Sequence, residues 1–135
     1  MPKILGLSLV GVLVASVLFF LVGWLWYGIL FMEQWMAASG ITAEEAESGN
    51  PIWMLGGFAI TVLQVIGIGL AMKWKGAAGI GGAVTTGLTL WVFFAFPFTS
   101  YAYLYGGNNL ELLLIDGSHL LVGWLVSAVV LALIK

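Results

Sequence analysis

The chain contains no cysteine and no arginine, a single histidine, and only four lysines and six acidic residues in 135 positions. Without cysteine there can be no disulfide, no thiolate metal site and no cysteine-based catalysis. Charged residues make up 7% of the chain, against about 25% in an average soluble domain, so a solvated globular surface is excluded as well. Four lysines leave no nucleic-acid footprint. No phosphate loop or dinucleotide glycine motif stands between a strand and a helix. The lone His119, one nearby aspartate and loop glutamates follow no metal-ligand spacing, and no metal site is expected. Ser118 adjoins His119, but neighbouring helix residues point in different directions, so no serine-nucleophile arrangement is expected either. These exclusions point to a non-enzymatic protein with no catalytic residues.

What the sequence has in abundance is apolar side chain, 62% of residues. Four runs, at about 4–31, 52–72, 78–100 and 110–134, each reach the roughly 20 residues needed to cross a bilayer. They predict an all-α fold: one transmembrane domain over 1–135, an integral membrane four-helix bundle, with an outer acidic loop at 32–50. The first run ends in Trp24, Trp26, Tyr27 and Phe31 and not in a small-residue cleavage site, which makes it a retained helix. In the acidic loop, Thr42-Ala43-Glu44-Glu45 matches a capping box and predicts a short amphipathic helix. Pro51 suits the first turn of the second span, where backbone amides lack partners anyway. Pro97 removes a hydrogen bond near the far end of the third run, predicting a kink or an early stop there.

The charges sort by end. With four crossings, Lys3, Lys73, Lys75 and Lys135 all fall on one side, and Glu33, Glu44, Glu45, Glu47 and Glu111 on the other. By the positive-inside rule both termini are expected in the cytoplasm, the protein being multi-pass in a bacterial inner membrane.

Small and polar residues at helical spacing mark the faces that pack in lipid. Such stripes run through Ser8, Gly11, Ala15, Phe19 and Gly23; through Gly57, Thr61, Gln64, Gly67 and Ala71; and through Asp116, His119, Gly123 and Ser127. Gln64 is near the middle of its span, where its amide needs a partner on another helix. Asp116 is the only charge well inside a run, and His119 follows three residues later, close enough on a helix for contact. A carboxylate beside an imidazole is the basis of a proton relay or pH sensor, while pairing of Asp116 with Tyr101, Asn108 or an indole N–H is the structural alternative. Trp91 and Trp124 lie deeper than the interfacial tryptophans, placed for core packing with an indole hydrogen bond or for contact with a lipid, quinone or pigment.

The segment Gly23-x-Leu25-Trp26-Tyr27-Gly28-x-Leu30-Phe31, with Trp35 and the acidic loop after it, resembles the opening of the small bacterial four-span membrane proteins of domain-of-unknown-function family 1761. The segment Leu112-Leu113-Leu114-Ile115-Asp116-Gly117-x-His119-Leu120 is similar to that family's last helix. The resemblance implies fold and topology, brings no established activity, and adds Trp26 and Tyr27 to Gln64, Asp116 and His119 as candidate functional residues. The expected role is action by helix packing in the lipid bilayer, as a homo-oligomer or an accessory subunit of a larger membrane complex. The alternative is a small transporter or channel with Gln64, Asp116 and His119 along a polar path.

Overall fold

The computed structural model describes residues 2–40, 42, 44 and 51–135, excepting the side chains of Pro51 and Trp53. Its elements are a hairpin of β1 (Lys3–Ile4) and β2 (Leu7–Ser8), then α1 (Leu9–Leu25), α2 (Met32–Ser39), α3 (Pro51–Lys75), α4 (Gly79–Leu90), α5 (Phe96–Leu104) and α6 (Leu110–Leu133). π-Helical turns at Trp26–Leu30 and Trp91–Ala95 extend α1 and join α4 to α5. Four of the resulting helical rods, Leu9–Leu30, Met54–Lys75, Gly79–Leu104 and Leu110–Leu133, are long and apolar enough to cross a membrane. The all-α, four-span architecture expected from the apolar runs is therefore observed.

The first helix starts later than the apolar run that encodes it. Leu5 and Gly6 both adopt positive φ, forming the two-residue turn that lets Lys3 pair with Ser8 and Ile4 with Leu7. Ser8 then caps α1, its Oγ accepting from the Gly11 amide at 3.1 Å. Hydropathy alone does not distinguish Ile4–Leu7 from helix; the Gly6 turn and the Ser8 cap do. Leu7 tucks against Gly69 of α3, where a Cβ would come 2.7 Å from a leucine methyl.

Pro97 does not end the third rod, which runs to Leu104. The preceding turn widens instead: the Phe96 amide donates to the Trp91 carbonyl, five residues back. A π turn is one way for a helix to absorb a proline that cannot donate and still continue. At the start of the acidic loop, α2 is a helix that the apolar pattern did not suggest. It closes at Gly40 in the left-handed conformation that glycine adopts without steric cost. Of the short helix expected at Thr42–Glu45, Thr42 is not helical and Glu44 is, while Ala43 and Glu45 lie outside the described residues.

The fourth span is the centre of the bundle and packs against the other three. Val12, Ala15 and Phe19 of the first span meet Val65, Ile68 and Met72 of the second and Ala128 and Leu131 of the fourth, with Ala83 from the third. Close approach depends on glycine. The Phe19 ring occupies the space a Cβ on Gly123 would need, and Gly87 lies against the Trp124 carbonyl and the Ala128 methyl. The small residues of the first and fourth spans are thus used within the chain, as expected where van der Waals packing is the main source of helix association.

Candidate functional site

One turn of α6, residues 116 to 119, is gripped by aromatic side chains from two other spans. Tyr27 donates its hydroxyl to Asp116 Oδ1 at 2.5 Å. The Trp26 indole donates to Ser118 Oγ at 3.0 Å, and Ser118 donates in turn to the Ile115 carbonyl at 3.0 Å. From the third span, the Trp91 indole donates to the Gly117 carbonyl at 2.9 Å. The helix geometry behind this grip is specific. Trp26 and Trp91 each open a π turn, and the amide five residues on donates to each of their carbonyls. In the first span this wider turn accompanies an arrangement in which two adjacent side chains, Trp26 and Tyr27, both reach α6. π Turns are frequent at functional sites for this reason.

Asp116 and His119 do not bond to one another among the described residues. Tyr27 stands between them, its hydroxyl on Asp116 and its ring edge-on to His119, with centroids 5.0 Å apart. Spacing along one helix suggests the two residues as a pair; the third member comes from another helix, which spacing cannot show. The expected partners Tyr101 and Asn108, and an indole, give way to this phenol.

The two residues face different cavities. His119 lines a cavity of about 330 Å³ between the first, second and fourth spans, together with Phe20, Trp24, Tyr27, Met54 and Thr61. Its imidazole packs on Phe19 at 5.5 Å between centroids, and Nε2 lies 3.2 Å from where a Gly23 Cβ would sit. Among the described residues no hydrogen bond engages either imidazole nitrogen. Asp116 instead lines a smaller cavity of about 200 Å³ with Thr99, Tyr103 and Asn108. Tyr27 touches both sites, since its ring forms part of one wall and its hydroxyl holds the carboxylate of the other. Asp116 is six residues into α6, about 9 Å along the axis from its start, so its cavity lies towards the acidic end of the bundle, while the cavity of His119 reaches from Tyr27 and Met54 near that end to Phe19 and Thr61 deeper in the spans.

Gln64 lies elsewhere. Its Oε1 accepts from the Trp124 indole at 2.8 Å and its amide donates to the Ile60 carbonyl at 3.3 Å. It lines neither cavity, although Thr61, one turn away, does. Both deep tryptophans thus spend their indole N–H on protein acceptors. Among the described residues no group of three histidine, cysteine or acidic side chains is placed to hold a metal ion.

The site residues that spacing did not reveal are Trp91, Ser118 and Trp24. Trp24 carries no signal beyond being aromatic, whereas Trp91 stands out by its depth, and the indole hydrogen bond expected of it is observed, to the Gly117 carbonyl. Gly23 did carry one, as part of a small-residue stripe, and its missing side chain leaves the space beside the imidazole.

No curated protein and no solved structure matches this chain. The family model described as "Protein of unknown function (DUF1761)" matches residues 10–132, which include every residue of both cavities. The chain accordingly belongs to the DUF1761 family of proteins of unknown function.

Proposed function

We propose that this protein binds a small amphiphile that enters from the bilayer, a molecule with an apolar ring or chain and one hydrogen-bonding head group. The observation that carries this reading is the imidazole of His119, without a hydrogen bond among the described residues, on the wall of a largely aromatic and apolar cavity. A polar group left without a partner in apolar surroundings is costly, so an imidazole kept there favours a guest that supplies one. The volume of about 330 Å³ lies at the small end of the usual ligand range of about 300–1,000 Å³. Trp24 and Met54, on the rim, are 60% and 64% exposed and face the lipid, which suits lateral entry. The Tyr27–Asp116 bond fixes one wall. No step here is catalytic: the residues bind and orient.

By the positive-inside rule we place the lysine-bearing end in the cytoplasm of a bacterial cell, so the amphiphile site opens within the outer half of the inner membrane. A polar path through Gln64, Asp116 and His119 draws no support from this geometry, because Gln64 is spent on Trp124. The test is a purification in mild detergent followed by native mass spectrometry. Wild-type protein is expected to retain a small apolar adduct that Gly57→Leu, which fills the cavity from α3, loses. Protein that carries no adduct, and takes up none when titrated with 4-octylphenol, contradicts the proposal.

A second reading, association with another copy or with a larger membrane complex, is favoured by one observation. Side chains added at Gly56, Gly67 and Gly81 would meet nothing within 4 Å, so the outward faces of the second and third spans remain open to close helix approach. Light scattering in mild detergent should then give a defined oligomer or a complex with a second protein. A lone monomer excludes it.

A further inference from the structure

The opposite end of the bundle holds a second site, and nothing about it depends on the amphiphile cavity. Lys3 on the hairpin, Lys73 at the end of α3 and Lys135 after α6 line one cavity of about 350 Å³, although they are scattered across the chain. We propose that this cavity binds the phosphate group of an anionic phospholipid. The wall contains no acidic side chain, so no carboxylate side chain on it pairs with the three ammonium groups. Apart from the lysines the wall is largely apolar, with Leu7 beside Met72 and Leu131 of the bundle core. An oxyanion above an apolar wall is the outline of a phospholipid head with its first chain carbons, and basic pockets between spans recognise such heads.

The local folding supports the site. The two-residue turn at Leu5-Gly6 folds Lys3 back over the end of the bundle, and a Cβ on Gly6 would overlap the Lys73 ammonium. Gly79, which opens α4 without a side-chain cap, also lines the cavity and adds the partial positive charge of a helix start. Lys75 is two residues from Lys73, yet it is not on the wall. That difference separates a built site from general attraction of lysines to an anionic surface.

The test titrates purified protein in mild detergent with dioctanoyl-phosphatidylglycerol, with dioctanoyl-phosphatidylcholine and with inorganic phosphate, counting retained molecules by native mass spectrometry. The expected result is retention of phosphatidylglycerol over phosphatidylcholine, no retention of inorganic phosphate, and about fivefold weaker retention for each of Lys3→Gln, Lys73→Gln and Lys135→Gln. Lys75→Gln should bind as wild type does. Far-UV circular dichroism confirms that each variant is folded, and the two hairpin- and tail-borne lysines provide the test should Lys73→Gln fail. Equal retention of both lipids overturns the proposal, as does a loss in Lys75→Gln equal to that in Lys3→Gln and Lys135→Gln. Retention of inorganic phosphate as strong as that of the lipid overturns the lipid as the source of the phosphate.

Discussion

Tyr27 of the first span donates its hydroxyl to Asp116 of the fourth at 2.5 Å, and its ring meets His119 edge-on. This one side chain joins the two chemically reactive residues of the fourth span and places them on separate cavities. Removing the hydroxyl in Tyr27→Phe leaves a half-buried carboxylate without its donor, at an expected cost of about 1–3 kcal/mol. Asp116→Asn keeps an acceptor for Tyr27 and should cost less. Reversible unfolding in mixed micelles, followed by helix content, orders the two variants.

Packing at Gly123 makes a sharper prediction. The Phe19 ring fills the position of a Gly123 side chain, so Gly123→Ala must displace that ring in the packed seam between the first and fourth spans. Overpacking of this kind costs about 1–3 kcal/mol. Gly56→Ala, where a Cβ meets nothing within 4 Å, should leave the unfolding midpoint of the monomer unchanged.

The hydroxyl of Ser16 is buried with no hydrogen-bond partner, alone in this respect among the described residues. Ser16→Ala removes the unsatisfied group without changing the shape of the site. It should raise stability by about 1 kcal/mol. Lower stability in the same micelle unfolding experiment contradicts the assignment.

Gln64 and Trp124 form the central bond between the second and fourth spans. Interhelical hydrogen bonds of this kind average about 0.6 kcal/mol in membranes. A double-mutant cycle of Gln64→Leu and Trp124→Phe should return a coupling of that size. A coupling near zero means that the bond contributes nothing beyond packing.

The legible part of this molecule was its relation to the bilayer. Apolar run length and the placement of lysines and glutamates revealed the four spans and which ends lie together, because the bilayer imposes those patterns on any sequence. Asp116 was conspicuous as the lone charge within a run, and Trp26 and Tyr27 through the family resemblance. What the pattern hid was set by tertiary geometry. Ile4–Leu7 is as apolar as the helix after it, and only the turn at Leu5-Gly6 and the Ser8 cap set it apart. The two π turns carry no periodicity signal, yet they accompany the indoles of Trp26 and Trp91 at the same turn of α6. Asp116 and His119 looked like a pair because they share a helix, while their true intermediary is 89 positions from Asp116 in the chain.

The amphiphile site is tested most directly at its imidazole. The chain has one histidine, so protein labelled with ¹⁵N-histidine in mild detergent gives the ring signals of His119 alone. On titration with 4-octylphenol, the Nε2 resonance of the wild type should move and saturate, and that of Gly57→Leu should stay in place. A wild-type signal that does not move, or one that moves equally in Gly57→Leu, would contradict binding in the cavity between the first, second and fourth spans.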